Sequence, residues 1–131
     1  MAWVEVFAAF VVSHFAGDYL LQTDWQARHK RAGLGSDLLA RKALLSHIAT
    51  YTLAFVPALI WVASELGVGA TLGIAALIAL PHMVQDDGRL LTAYMVRVKG
   101  SHVPDNLGVA AAVDQSFHFI ALFLVALLAG S

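Results

Sequence analysis

Residues 107–129 read LGVAAAVDQSFHFIALFLVALLA, an apolar run in which Asp114 and His118 are the only ionisable side chains. At about 1.5 Å of rise per residue, a helix of this length crosses a hydrocarbon core of about 30 Å. The run therefore predicts a transmembrane helix that carries two polar side chains into the bilayer.

Three further stretches have the same character, and they account for most of the 60% hydrophobic residues in this 131-residue chain. Only 13% of the residues are charged, which is about half the fraction usual in a soluble domain. We therefore expect an all-α membrane protein, a four-transmembrane-helix bundle that forms one integral membrane domain over residues 1–131. The predicted spans are residues 2–22, 44–65, 69–87 and 107–129.

The positions of the basic residues predict a topology. All eight lysines and arginines lie either between the first and second spans or between the third and fourth. Because cytoplasmic loops are enriched in these residues, we expect both basic segments in the cytoplasm and both termini to be extracytoplasmic. The chain has no cysteine, which excludes thiolate ligands and disulfides.

Seven histidine and aspartate side chains fall within the predicted spans, apart from Asp87 at the end of the third. They are His14, Asp18, His47, His82, Asp86, Asp114 and His118. Six of them form three histidine–aspartate pairs with members four residues apart, so each pair lies on one helix face. The pair in the fourth span has the reverse order, and that helix runs in the opposite direction. We therefore expect one histidine layer and one aspartate layer, about 6 Å apart.

Burying an ionisable group in a membrane helix costs about 2.5–3.5 kcal/mol, so such groups usually mark a functional site. Imidazole and carboxylate ligands together suit a divalent transition metal, Zn, Mn, Fe or Co. Seven candidate ligands exceed the four of a closed zinc site and would suffice for a dinuclear centre. Any single histidine is explained as well by a polar contact between helices, but the convergence of three pairs favours a metal. A break in the third helix is expected at Pro81.

These motifs resemble a family of small bacterial membrane proteins that is known only as a domain of unknown function. The resemblance rests on HFAGDYLLQTDW at residues 14–25, on His47, on His82-x3-Asp86 and on Asp114-Gln115-x2-His118. It covers nearly the whole chain and implies the same four-span layout, but no activity. We expect the protein in the bacterial inner (cytoplasmic) membrane. The pattern is also loosely similar to bacterial membrane-bound metal-dependent hydrolases.

The first functional hypothesis is a metal-dependent hydrolase that acts on a lipid or lipid-linked substrate at the cytoplasmic leaflet. In this hypothesis the metal activates water, and Gln22 and Gln115 orient ligands or substrate. Asp87 is a candidate general base, although the sequence favours a solvated residue at a helix end. The basic loops would attract anionic head groups, or serve only as topology signals.

The second hypothesis is a divalent-metal or proton transporter, because histidine–aspartate pairs on separate helices resemble the metal site of cation-diffusion zinc transporters. The outer halves of the predicted helices carry almost no polar residue, which disfavours transport. A bis-histidine haem or a purely structural role is the third hypothesis, and haem would leave the aspartates unexplained. Membrane lipids are the expected partners, with no nucleic acid, and a homodimer remains an open alternative to a monomer.

Overall fold

The computed structural model describes residues 1–130, and within that range the chain is helical and has no β-strand. Its α-helices are α1 (Trp3–Phe15), α2 (Asp24–His29), α3 (Leu38–Ala54), α4 (Val56–Leu66), α5 (Val68–Asp87), α6 (Arg89–Tyr94) and α7 (Leu107–Ala129). Helix α1 continues as a π-helix over Ala16–Leu21, and α6 continues as a π-helix over Met95–Lys99. A short 3-10 helix, Val103–Asp105, precedes α7.

Three helices are long and apolar enough to cross a membrane: Trp3–Leu21, Val68–Asp87 and Leu107–Ala129. A fourth span results if α3 and α4 are counted together, although their axes are bent by 57°. The outward faces of the helices carry large apolar side chains, among them Leu20, which is 81% exposed. Such surfaces are unfavourable in water, and these helices therefore indicate a membrane protein.

The break in the bundle lies at Phe55 rather than at the expected proline. Pro57 has no backbone N–H for the Leu53 carbonyl, so the α3 hydrogen-bond pattern cannot continue through it. The N–H of Phe55 bonds instead to Thr52 O at 3.0 Å, which closes the last turn of α3. The expectation of a break at Pro81 is wrong, because α5 runs without interruption through that residue.

The bundle places the two termini at one end. Helices α1 and α7 pack along each other, and Gly130 lies directly against the backbone of Trp3. Phe123 of α7 makes edge-to-face contacts with the rings of Trp3 and Phe7. This half of the molecule is filled by an apolar core contributed by α1, α3, α4, α5 and α7. Its buried members include Val6, Phe10, Phe55, Val62, Ile74, Ile78, Leu122 and Ala126.

The two basic segments meet at the opposite end of the bundle. The backbone N–H of Ala32, between α2 and α3, donates to the carbonyl of Asp87 at the end of α5, at 2.8 Å. Gly88, with φ of 84°, ends α5 in a left-handed conformation that favours glycine and turns the chain into α6. The polar residues of the spans lie between this end and the apolar core.

Candidate metal centre

The first span reaches the site through a change of helix type. Its π-helical segment contains Gly17 and Asp18, and π-helical turns are rare and frequently occur at functional sites. A Cβ on Gly17 would lie only 2.6 Å from Cδ2 of Tyr51, so glycine is what permits this close approach to α3. The approach brings the Asp18 carboxylate to within 3.2 Å of His47 on α3.

Four side chains from three helices converge on one point. Asp18, His47, His82 and Asp86 each offer one ligand atom, and these four atoms lie within 4.8 Å of one another. Nε2 of His47 is 3.1 Å from Nε2 of His82 and 2.9 Å from Oδ2 of Asp86. Nε2 of His82 is 3.3 Å from Oδ1 of Asp18 and 3.2 Å from Oδ2 of Asp86. The group therefore has the donor set of a mixed imidazole–carboxylate metal site.

The spacing of these atoms fits a tetrahedral ion. Metal–ligand bonds of about 2.0–2.1 Å place the ligand atoms of a tetrahedral site about 3.3–3.4 Å apart. Five distances between the ligand atoms of Asp18, His47, His82 and Asp86 lie at 2.9–3.3 Å, close to this value. Oδ1 of Asp18 is buried and has no hydrogen-bond partner within residues 1–130, although it faces two imidazole nitrogens. A shared cation would satisfy this oxygen and both nitrogens together.

The ring of His82 is held by stacking. Tyr51 lies parallel to it, with ring centroids 3.4 Å apart and planes inclined by 4°. Metal-bound histidines usually donate their second ring nitrogen to a fixed acceptor. In residues 1–130, Nδ1 of His82 and Nδ1 of His47 have no such partner, so Tyr51 supplies the restraint on His82 that a hydrogen bond would otherwise provide.

His14, a predicted ligand, lies beside the four-residue group and both of its ring nitrogens are engaged. Nε2 donates to Oε1 of Gln115 at 3.0 Å, which leaves Nδ1 to accept the Tyr51 hydroxyl at 3.0 Å. Nδ1 is also 3.6 Å from the Asp18 carboxylate. His14 and Gln115 thus form a polar chain behind Tyr51.

The pair on α7 lies on the other side of Asp86. Nδ1 of His118 donates to the backbone carbonyl of Asp114 at 2.7 Å, so in the neutral ring Nε2 carries a lone pair. That Nε2 faces Oδ1 of Asp86 at 3.3 Å and has no hydrogen-bond partner within the described range. The Asp114 carboxylate is 27% exposed and 3.8 Å from His118. His118 therefore adjoins the four-residue group through Asp86, Asp114 lies beside His118, and neither is a member of the group.

Lys30 covers the group on the side of the basic loops. Its ammonium donates to Oδ2 of Asp86 at 2.7 Å and to Oε1 of Gln22 at 2.6 Å. Beside them is a cavity of about 180 Å³ lined by polar side chains. The residues around it are Gln22, Ala27, Lys30, Arg31, Gln85, Asp86, Gly88, Leu91 and Asp114. Gln22 thus lines this cavity next to the Lys30–Asp86 pair.

Asp87 is engaged in a structural contact away from the four ligand atoms. Its buried carboxylate accepts a hydrogen bond from the N–H of Leu34 at 2.9 Å and pairs with Arg89 at 2.8 Å. It therefore ties the segment before α3 to the end of α5. This arrangement corrects the expectation that Asp87 is a general base, because its oxygens are committed to those two groups.

The polar side chains form one cluster rather than two layers. Asp18 and His82 were expected in different layers about 6 Å apart, yet their ligand atoms are 3.3 Å apart. Side chains on a helix tilt toward its N-terminus, so Asp18 reaches back toward the histidines. Tyr51 was missed, although it follows His47 by one helical turn in the same span; this spacing is the signal that would have identified it.

The fold and the site together define an all-helical membrane protein with a buried histidine–aspartate cluster that can hold a metal ion. The chain belongs to the family described as "Protein of unknown function (DUF3307)", whose model matches residues 6–131. This match confirms the expected membership in an uncharacterised family. No curated protein and no solved structure matches the chain.

Proposed function

We propose that this protein is a metal-dependent hydrolase of the cytoplasmic membrane, acting on a lipid or lipid-linked substrate. One observation carries the proposal: the Asp18, His47, His82 and Asp86 ligand atoms converge within 4.8 Å beside a polar cavity of about 180 Å³. Catalytic metal sites keep a position open for water or substrate, whereas structural sites are closed by protein ligands. The four protein ligands here would already complete a tetrahedral set, so water or substrate would bind as a fifth ligand, from the side of the cavity that Asp86 borders.

The proposed orientation follows from the charges. Both basic segments lie at the end of the bundle that carries the cavity, and the two termini lie at the other end. Under the positive-inside rule, this end faces the cytoplasm of a bacterial inner-membrane protein with four spans. The substrate would then enter from the cytoplasmic leaflet, where lipid head groups lie level with the cavity.

The residues around the bound ion would have three different roles: holding the ion, accepting a proton and orienting the substrate. A divalent ion held by the four ligands supplies Lewis acidity, which activates water and polarises an ester or phosphoryl oxygen. Zn, Mn, Fe and Co all suit this donor set, and His118 beside Asp86 would allow a second ion. Asp114 lines the cavity with a partly exposed carboxylate, so we assign it the role of accepting the proton from the attacking water. Gln22 and Lys30 would orient the substrate in the cavity.

A transporter is the alternative function, and the apolar half of the bundle disfavours it. A transported ion needs a polar path on both sides of its site. Between His14 and the end of the bundle that carries the termini, the interior of the described structure is filled by buried apolar side chains such as Phe10, Phe55 and Val62. Access to the site from one side only is what a hydrolase requires.

The first test is the metal content of detergent-purified protein, measured by elemental analysis as metal per chain. We expect one or two transition-metal ions in the wild type and a loss in His47→Ala, whose Nε2 contacts all three other ligand atoms. His29→Ala is the matched control, because His29 lies on α2 and bonds to the Trp25 carbonyl, away from the cluster. The control should retain the wild-type metal content.

Hydrolysis is tested on the same preparations. The metal-loaded wild type should cleave a lipid ester or lipid phosphate, and chelation or His47→Ala should abolish the activity. Metal at background level in folded wild-type protein would contradict the proposal. The cluster would then be explained by proton binding or by polar contacts between helices. Tightly bound metal without hydrolysis of either lipid class would contradict the enzymatic part alone.

A further inference from the structure

A second, larger cavity adjoins the one beside the metal centre. Its volume is about 460 Å³, and it extends along α6 and the π-helix that follows. Arg31 and Gly88 line both cavities, so the two meet at this point. The wall of the larger cavity is mainly apolar, with Ala93 and Val96 among its residues, and Arg97 also lines it.

Arg31 is placed at the junction by the turn at Gly88. A Cβ on Gly88 would lie 3.1 Å from Nη1 of Arg31, so the guanidinium lies close over the end of α5. Within residues 1–130, the Arg31 side chain makes no hydrogen bond and no ion pair, whereas Arg28 pairs with Asp24 at 3.0 Å and Arg89 with Asp87 at 2.8 Å. Its five N–H donors remain available to an oxyanion.

The charge balance at the smaller cavity favours an anion once a metal is bound. Asp18 and Asp86 together carry two negative charges, which one divalent ion balances. Lys30 and Arg31 then contribute two positive charges against the one negative charge of Asp114, since all three line the cavity. The result is a net charge of +1 beside the metal. An arginine guanidinium, which can donate two parallel hydrogen bonds, together with a neighbouring lysine ammonium is well suited to bind phosphate oxygens.

From this arrangement we infer that the substrate of the proposed hydrolase is a phosphate-bearing lipid. This inference rests on the proposed function and specifies its substrate class. The phosphate lies in the small cavity between Arg31, Lys30 and the metal, and an acyl chain follows the apolar groove along α6. The segment Arg89–Lys99 carries basic residues at both ends, and the apolar side chains of Val96 and Val98 beside Arg97 and Lys99 are exposed. Exposed apolar side chains next to basic ones are typical of a helix that lies at a membrane surface.

Binding of a short-chain lipid tests the inference without relying on turnover. The probe is dihexanoyl phosphatidic acid, and dihexanoylglycerol, which has the same chains but no phosphate, is the comparison. Affinities are measured by calorimetry on the full chain in detergent, with and without added Co²⁺. Bound Co²⁺ is followed separately by its visible absorption. The variants are Arg31→Gln and, as the matched control, Arg28→Gln, which removes an exposed arginine outside both cavities.

We expect the phosphate-bearing lipid to bind at least about tenfold more tightly than the phosphate-free lipid, since charged hydrogen bonds are worth that much. Arg31→Gln should reduce this preference, since Lys30 would still face the phosphate, and Arg28→Gln should preserve it. Equal binding of the two lipids, or an unchanged preference in Arg31→Gln, overturns the inference. Inorganic phosphate that binds as tightly as the lipid, in an Arg31-dependent manner, also overturns it, because the acyl groove would then contribute nothing. Failure of Co²⁺ to bind would instead remove the proposed metal function, so the two failures are distinguishable.

Discussion

The ring of Tyr51 stacks on the imidazole of His82 while its hydroxyl hydrogen-bonds to His14. One side chain on α3 therefore restrains a candidate ligand on α5 and a supporting histidine on α1. Tyr51 is 1% exposed, and Gly17 packs against its ring on another side. The cluster thus depends on a buried aromatic side chain that offers no ligand atom.

Tyr51 provides a test of this supporting role. Tyr51→Phe keeps the stacked ring and removes only the bond to His14, whereas Tyr51→Leu removes both. Because supporting contacts in metal sites are commonly worth about 10–100-fold in affinity, we expect Tyr51→Leu to weaken metal binding by about that factor and Tyr51→Phe by less. Titration with Zn²⁺ against a competing chelator measures both. Equal affinities for the two variants would show that stacking contributes nothing.

Gly17 should tolerate no larger side chain. The Cβ in Gly17→Ala would lie 2.6 Å from Tyr51 Cδ2 and 3.2 Å from its Cα, and such overpacking typically costs about 1–3 kcal/mol. We therefore expect a lower midpoint of thermal unfolding in detergent, together with weaker metal binding. Gly73→Ala is the control, because a Cβ there meets nothing within 4 Å in the described chain. A Gly17→Ala protein as stable as the control would contradict the close approach.

The helices were predictable from the sequence because membrane spans have a simple physical signature. Long apolar stretches predicted α5 and α7 to within a residue at each end. The bend at Phe55 was not predicted, because Pro57 and Pro81 are alike as residues and only one of them ends a helix. The two prolines differ in the packing of the helix turns around them, and the spacing of residues along the sequence does not predict that packing.

The site was predictable in its members but not in its arrangement. Helical spacing placed Asp18, His82 and Asp86 on interior faces, and the structure brings these three together with His47. The spacing of residues along a helix does not predict how far a side chain extends or which group it contacts. For that reason it could not separate His14, which is engaged by Gln115 and Tyr51, from the four converging residues. Nor could it place Lys30 against a residue 56 positions away.

Asp86 and Asp87 form a matched pair for mutation, since they are adjacent and both buried. Asp86→Asn should remove most bound metal, because Oδ2 of Asp86 is one of the four converging atoms. Asp87→Asn should keep the metal stoichiometry but lower stability, because it weakens the contacts to Leu34 and Arg89. Because the Arg89 side chain is 60% exposed and water screens the pair, we expect this loss to be about 1 kcal/mol. Metal analysis and thermal unfolding of both variants distinguish the roles, and metal loss in Asp87→Asn would contradict them.

Lys30 and a metal ion should compete for the same oxygen. The Lys30 ammonium lies 2.7 Å from Oδ2 of Asp86, the atom that also faces Nε2 of His47 at 2.9 Å. An ion bound there would repel the ammonium, so binding requires Lys30 to move into the adjoining cavity. Removing this competing cation should therefore tighten metal binding.

We expect Lys30→Gln to lower the apparent dissociation constant for Zn²⁺ by about tenfold, the value of one charged hydrogen bond that no longer has to be broken. Lys42→Gln is the matched control, because Lys42 is exposed on α3 and should leave the affinity unchanged. The measurement is a chelator-competition titration of both variants beside the wild type. Weaker binding in Lys30→Gln alone would mean that Lys30 holds Asp86 in its binding position rather than competing for it. An equal change in both variants would mean that the effect comes only from the overall positive charge at the end of the bundle that carries the basic segments.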